Sequence, residues 1–310
     1  MSTTRQVVAA VLLATAFGIT ACSRSDEGTK AQPKDPEPVQ HKPVITPSES
    51  QPVKPTDGEG FIASVPSKLT GSFADGEAAY RARKYADATA IFEGYTERRP
   101  ANPWGHYMLG LSAWKSGDLS KSEQAFEKAL SIDPHHVKSL VNLSRVFIDQ
   151  KRHDEAVDRL TRASEIEPES AEVFRLLGRT YHSLRKTDEA VDAYRHAIDL
   201  NERDAWSMNN LGLLLLETKR ADEALPLLTS AVELRKDVPE FHNNLGMALE
   251  LTGRYEQSVE QYRAALAIEG TYGKAVSNLQ RVELVKQDPS ITPVDLTERS
   301  KQFQEEVTRW

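Results

Sequence analysis

Leu109-Gly110, followed by Ala125-Phe126-Glu127-Lys128-Ala129-Leu130-Ser131-Ile132-Asp133-Pro134, is the stretch that decides the fold of this 310-residue chain. Its large and small apolar residues recur at helical spacing, and Asp133-Pro134 stops the second run. The pattern returns every 34 residues without insertion from Leu69 to Tyr272, giving six consecutive units. Within a unit, Phe174, Leu177 and Tyr181 mark a first helix, and Ala190, Tyr194, Ala197 and Ile198 mark a second.

Numbering each unit from 1, position 8 is always small: Gly76, Gly110, Ser144, Gly178, Gly212 and Gly246. Position 20 is small as well, reading Ala88, Ser122, Ala156, Ala190, Ala224 and Ser258. Position 24 is large throughout, as Phe92, Phe126, Leu160, Tyr194, Leu228 and Tyr262, and position 27 is Ala except at Tyr95. Small residues let two helices approach while large ones interlock across the contact. Departures are Asp75, where every other unit has Leu, and Glu202, Lys236 and Gly270 in place of Pro100, Pro134 and Pro168.

This signature resembles the tetratricopeptide repeat over about two thirds of the chain. The resemblance implies an all-α, right-handed superhelical solenoid of six helical hairpins, residues 69–102, 103–136, 137–170, 171–204, 205–238 and 239–272. A capping helix is expected over 273–287, with Leu279 and Val282 facing back. Residues 288–310 are expected to form an amphipathic helix with Thr292 as N-cap, Pro293 in its first turn, and Leu296, Phe303, Val307 and Trp310 on one face. That helix either folds against the solenoid or docks a partner.

Before the repeats, Arg5 precedes an apolar run from Val7 to Ile19, the layout of a secretory signal over residues 1–21. Ile19-Thr20-Ala21-Cys22 resembles the bacterial lipobox, and Cys22 is the only cysteine. The resemblance implies a lipid-anchored envelope protein, and Ser23 implies sorting to the outer membrane with the body facing the periplasm. Residues 22–68 hold eight of the sixteen prolines, too polar for a core, and read as an extended linker.

If the chain follows the family, first helices line a concave groove. Trp104, Tyr107, Met108, Leu111 and Trp114 align on one face of the first helix of unit two, whose packing face already holds Leu109, Gly110 and Ala113. The extra apolar face is explained by a ligand, or by cover from Phe61, Ile62, Val65 or the Trp310 helix. A cationic middle zone carries Arg145, Arg175 and Arg179, with Lys138 nearby. Trp206 also falls at a groove position, and Asn142, Asn210, Asn244 and Asn278 recur at position 6, resembling the asparagine ladder of O-linked N-acetylglucosamine transferases. Such amides can hold a peptide by its backbone. The carboxylate clamp of heat-shock co-chaperones is absent from this pattern.

Net charge of −7, with both signs interspersed, argues against general nucleic-acid binding. Metalloprotease, phosphate-loop and nucleophile-elbow motifs do not occur, His135-His136 reads as a surface pair, and His182 as a groove contact. The expectation is a non-enzymatic scaffold without cofactor, metal or small-molecule substrate, which binds a peptide segment of an envelope protein. The alternatives are an adaptor for a periplasmic hydrolase and a pilotin-like factor for pilus secretins.

Overall fold

The structure, a computed structural model, describes residues 71–307. Cys22, the signal and linker segments and Trp310 lie outside the described residues, as do Phe61, Ile62 and Val65. Fourteen α-helices and no strand occur among the described residues. Twelve of them form six hairpins: α1 (Phe73–Arg81) with α2 (Tyr85–Arg98), α3 (Pro103–Ser116) with α4 (Leu119–Ile132), and α5 (Val137–Asp149) with α6 (His153–Ile166). The series continues with α7 (Ala171–Ser183) and α8 (Thr187–Leu200), α9 (Ala205–Glu217) and α10 (Ala221–Leu234), then α11 (Pro239–Leu251) and α12 (Tyr255–Ile268). Two further helices, α13 (Gly273–Val282) and α14 (Leu296–Val307), follow.

Each hairpin closes on the interlock that the repeat encodes. A methyl placed on Gly178 would stand 2.6 Å from the Tyr194 ring, on Gly246 2.6 Å from Tyr262, and on Gly110 2.8 Å from Phe126. The receiving rings are fully buried or nearly so. Where position 8 is Ser144, its hydroxyl donates to the Val141 carbonyl at 2.6 Å and the large partner is Leu160. Ala129, Ala163, Ala197, Ala231 and Ala265 at position 27 are all buried. In unit one Tyr95 replaces that alanine, packs edge-on against Phe73 at 5.3 Å, and leaves no room for a side chain at Gly105.

The turn inside each hairpin repeats a backbone state that the sequence pattern hides. Arg83, Gly117, Lys151, Arg185, Lys219 and Gly253 recur 34 residues apart, and all have positive φ, from 58° to 91°. Only two are glycines, so four basic residues sit in the left-handed region at a cost of about 1–2 kcal/mol each.

Proline is not needed to end the second helices: α8, α10 and α12 stop at the same register as α2, α4 and α6 without it. Asp75 is explained by a late start of α1, in which it caps the helix instead of packing. Its amide donates to the Ser72 hydroxyl at 3.2 Å, and its carboxylate accepts from the Ser72 hydroxyl at 2.7 Å and the Ser72 amide at 2.8 Å, bonds that hold its pKa below the usual aspartate value.

Two C-terminal expectations need correction. The capping helix ends at Val282, not 287, because Gln287 turns away to donate to the Gly253 carbonyl at 3.0 Å and to accept from the Glu256 amide at 3.3 Å. Thr292 is not the N-cap of the last helix. Gln257 grips both backbone groups of Val294, at 2.8 and 2.9 Å, which keeps the chain non-helical there; Asp295 then accepts from the Glu298 amide at 2.9 Å and starts α14 at Leu296. This last helix packs on α10, burying Phe303 and Val307, with Ser300 and Ser230 hydroxyls 3.1 Å apart at the crossing. Described α14 residues therefore do not cover unit two. A sequence signal for the contact existed: α10 carries Pro226, Thr229 and Ser230 where α8 has Asp192, Arg195 and His196.

Two substitutions separate the interlock from the turn. Gly178→Ala should lower the stability of the solenoid by about 1–3 kcal/mol through overpacking against Tyr194. Lys219→Gly should raise it by up to about 1 kcal/mol by relieving positive φ. Urea unfolding of both variants checks the pair, and equal signs would contradict this account.

Candidate functional site

Successive first helices touch one another along the solenoid (α1 with α3, α3 with α5, α7 with α9, α9 with α11, α11 with α13), whereas second helices do not approach each other as closely. A stack bends toward the side where its elements are closer, so the first helices line the concave face. Every candidate in the resolved repeats sits on a first helix.

At unit two, neighbouring repeats absorb most of the extra apolar face. Met108 packs toward Phe92 of unit one; Tyr107, Leu111 and Trp114 pack toward Phe126, Leu143, Val146 and Phe147 at the junction with unit three. The Trp114 indole donates to Asp149 at 2.8 Å, and burial pushes the Tyr107 phenol up to about 12. Trp104 stays 46% exposed. Its ring meets His136 edge-on at 4.6 Å and Tyr107 at 5.7 Å, and the Lys138 ammonium lies 5.2 Å from its centre.

His136 is buried, unlike exposed His135, so the two do not act as a surface pair. Its Nδ1 accepts from the Ser139 amide at 3.2 Å and lies 2.8 Å from the Ser139 hydroxyl, so it caps α5. An Nδ1 that accepts cannot be protonated. Burial accordingly lowers its pKa.

Of the three central arginines, two are already matched. Arg145 pairs with Glu172, and Arg175 reaches both oxygens of buried Asp204 at 2.8 and 2.9 Å. Asp204 in turn accepts from the Ser207 hydroxyl at 2.7 Å, locking the α7–α9 junction. Arg179 is exposed on one side and walled by protein elsewhere, and burial, with Arg145 next, lowers its pKa. His182 pairs with Glu217 at 2.8 Å.

The asparagines form a chain between helices more than an open row. Asn244 donates to Asn209 at 2.9 Å, and Asn278 donates to Asn243 at 2.9 Å. Within a helix, Asn209 donates to Asn210 at 3.4 Å and Asn243 to Asn244 at 3.3 Å. Arg281 closes the end, donating to Asn278 at 3.0 Å and to Glu250 at 2.6 and 3.0 Å. Asn244 is 4% exposed, so its side chain is committed to the junction of α9 and α11. Asn210 meets the Tyr194 phenol, and Asn142 donates to the Lys138 carbonyl at 2.8 Å. Trp206 is half-buried, edge-on to Phe241 at 4.9 Å. Asn209 and Asn243, which accept across the junctions, were the signal beside the position-6 row.

No three His, Cys, Asp or Glu side chains converge to hold a metal among the described residues, and no described helix is long and apolar enough to cross a membrane.

Models of the tetratricopeptide repeat match residues 73–137 and 209–273, residues 113–180, and residues 171–204. Among curated proteins, none matches the sequence. Several solved structures are similar. PilF of Pseudomonas aeruginosa is 20% identical over 68% of this chain and 99% of that one, with a TM-score of 0.50. MamA of Desulfovibrio magneticus RS-1, from residue 41, is 19% identical over 56% and 98%, with a TM-score of 0.51. A chain of the APC/C hetero-tetramer Cut9–Hcn1 is 16% identical over 74% and 48%, with a TM-score of 0.58. At such identities the likeness is one of fold.

A pH experiment follows from His136. A base whose pKa falls on folding binds protons more readily when unfolded, so its contribution is complete above about pH 6.5 and shrinks as pH drops below that value. Stability measured from pH 8 to pH 5 should fall less steeply in His136→Asn than in the unsubstituted chain; identical slopes would remove His136 from the pH response.

Proposed function

From its tetratricopeptide repeats, which span residues 73–204 and 209–273, we propose that this chain is a lipid-anchored envelope scaffold holding a segment of another protein in its concave groove. The observation that carries the groove reading is the concave face itself. Seven first helices lie along it, with a half-exposed tryptophan on the second (α3) and an exposed arginine on the fourth (α7). Exposed aromatic and guanidinium groups are the side chains most often responsible for binding energy in protein interfaces. Cys22, after Ile19-Thr20-Ala21, supports attachment through acyl chains, and the proline-rich stretch after it serves as tether.

The structure changes which residues test this reading. Trp114 and Asn244 hold neighbouring repeats together, so their removal would disturb the fold; Trp104 and Leu213, half-buried on α9 at the same repeat position as Arg145 and Arg179, are the better probes. A photo-crosslinking amino acid placed at Trp104 or Leu213 of the full chain in intact cells should capture one discrete protein. The same group at Glu260, exposed on α12, should not. Equal capture from both faces would move the site off the groove. Cys22→Ser should shift the chain from the membrane fraction to the soluble fraction, and retention in membranes would remove the anchor.

A further inference from the structure

Three groove arginines are each matched by a carboxylate of their own or an adjoining unit, and a fourth is not. At position 9 of unit three, Arg145 is matched by Glu172 at position 2 of the next unit. At position 9 of the partial seventh unit, Arg281 is matched by Glu250 at position 12 of the unit before. Arg175, one turn before Arg179, is matched by Asp204. Arg179 occupies position 9 of unit four, and both equivalent partner places are filled by side chains that carry no charge. Trp206 stands where Glu172 would be, and Ile148 where Glu250 would be.

No described carboxylate forms an ion pair with Arg179, and the acidic group acting on it through space, Asp149, is already bonded to the Trp114 indole. Its other electrostatic neighbours are Arg145 and Arg175, both cationic, and the Tyr194 phenol, itself bonded to Asn210. A guanidinium partly enclosed by protein, with no carboxylate at either partner place and its remaining side open to the groove, can take an anion.

We propose that Arg179 receives a carboxylate from the segment held in the groove, completing from outside the pairing that Glu172 and Glu250 complete from within. A carboxylate is the group that satisfies Arg145, Arg175 and Arg281 in the same groove, and a phosphate is the competing outcome of the test below. The group comes from an acidic side chain or from a chain terminus. Arg145 and Arg175, already paired with Glu172 and Asp204, do not compete for that group. Trp206, a flat apolar surface in place of a competing carboxylate, keeps the arginine free.

This inference rests on the groove reading, and its test is built to fail separately from it. Arrays of random decapeptides are probed with the full chain, in sets with amidated ends, with free C-terminal carboxylates, and with phosphoserine. Retained peptides should be enriched about tenfold in Asp or Glu at one position, or in free C-termini, the size expected of one charge-assisted pair. The two carboxylate sets tell the sources apart. Arg179→Gln, a substitution at an exposed position, should erase the enrichment while leaving the melting temperature unchanged, and 0.5 M salt should weaken it in the unsubstituted chain. Retention without acidic enrichment, or enrichment that survives Arg179→Gln, overturns the carboxylate while the groove stands. Preference for phosphoserine over both carboxylate sets overturns it as well, and retention of no peptide overturns both.

Discussion

Everything in this solenoid depends on one contact, made in every hairpin: a large side chain enters the space left by glycine in five units and by Ser144 in the other. Gly178 under Tyr194 and Gly246 under Tyr262 show its tolerance, since a single added methyl would lie 2.6 Å from a buried ring. Close approach at that point brings the two helices of a hairpin together, and alanine at position 27 then lets the next hairpin sit equally close. Packing of this density transmits position well, so the first helices of successive units arrive in register along a common concave face.

That register explains why the groove is less open than its residues imply. When first helices touch, side chains at equivalent positions find one another before they find a ligand. Tyr107, Leu111 and Trp114 become part of the seam between units two and three, and the asparagines of α9, α11 and α13 bond across their junctions. Arg145 and Arg175 are matched in the same manner. What remains for recognition is sparse and uneven: Trp104, partly open, and Arg179, without a carboxylate.

The C-terminal segment adds a second kind of contact. Gln257 holds the non-helical backbone of Val294 by both groups of its side-chain amide, the role the groove asparagines were expected to play toward a peptide, and Gln287 bridges the Gly253 turn and the start of α12. They position α14 on an uncharged strip of α10, where Ser230 and Ser300 allow a close crossing.

By itself the sequence determined the hairpins, their number and their interlock, because Gly178 and Tyr194, or Gly110 and Phe126, are partners only 16 residues apart and recur at a constant period. Local pairs of this kind leave a pattern that composition cannot disguise. Tertiary structure alone decided which groove residues are spent. The partners of Trp114, Arg145, Asn244 and Arg281 lie 27 to 35 residues away on another helix, and pairing at that distance depends on how the units stack. It also decided the left-handed turn at Arg83, Lys151, Arg185 and Lys219, where basic side chains give no sign of the backbone beneath them, and the start of α14, which is set by Gln257 from 37 residues away. Arg179 lies between the two: its place on the concave face is read from the period, but its lack of a carboxylate is visible only once Arg145, Arg175 and Arg281 have each found theirs.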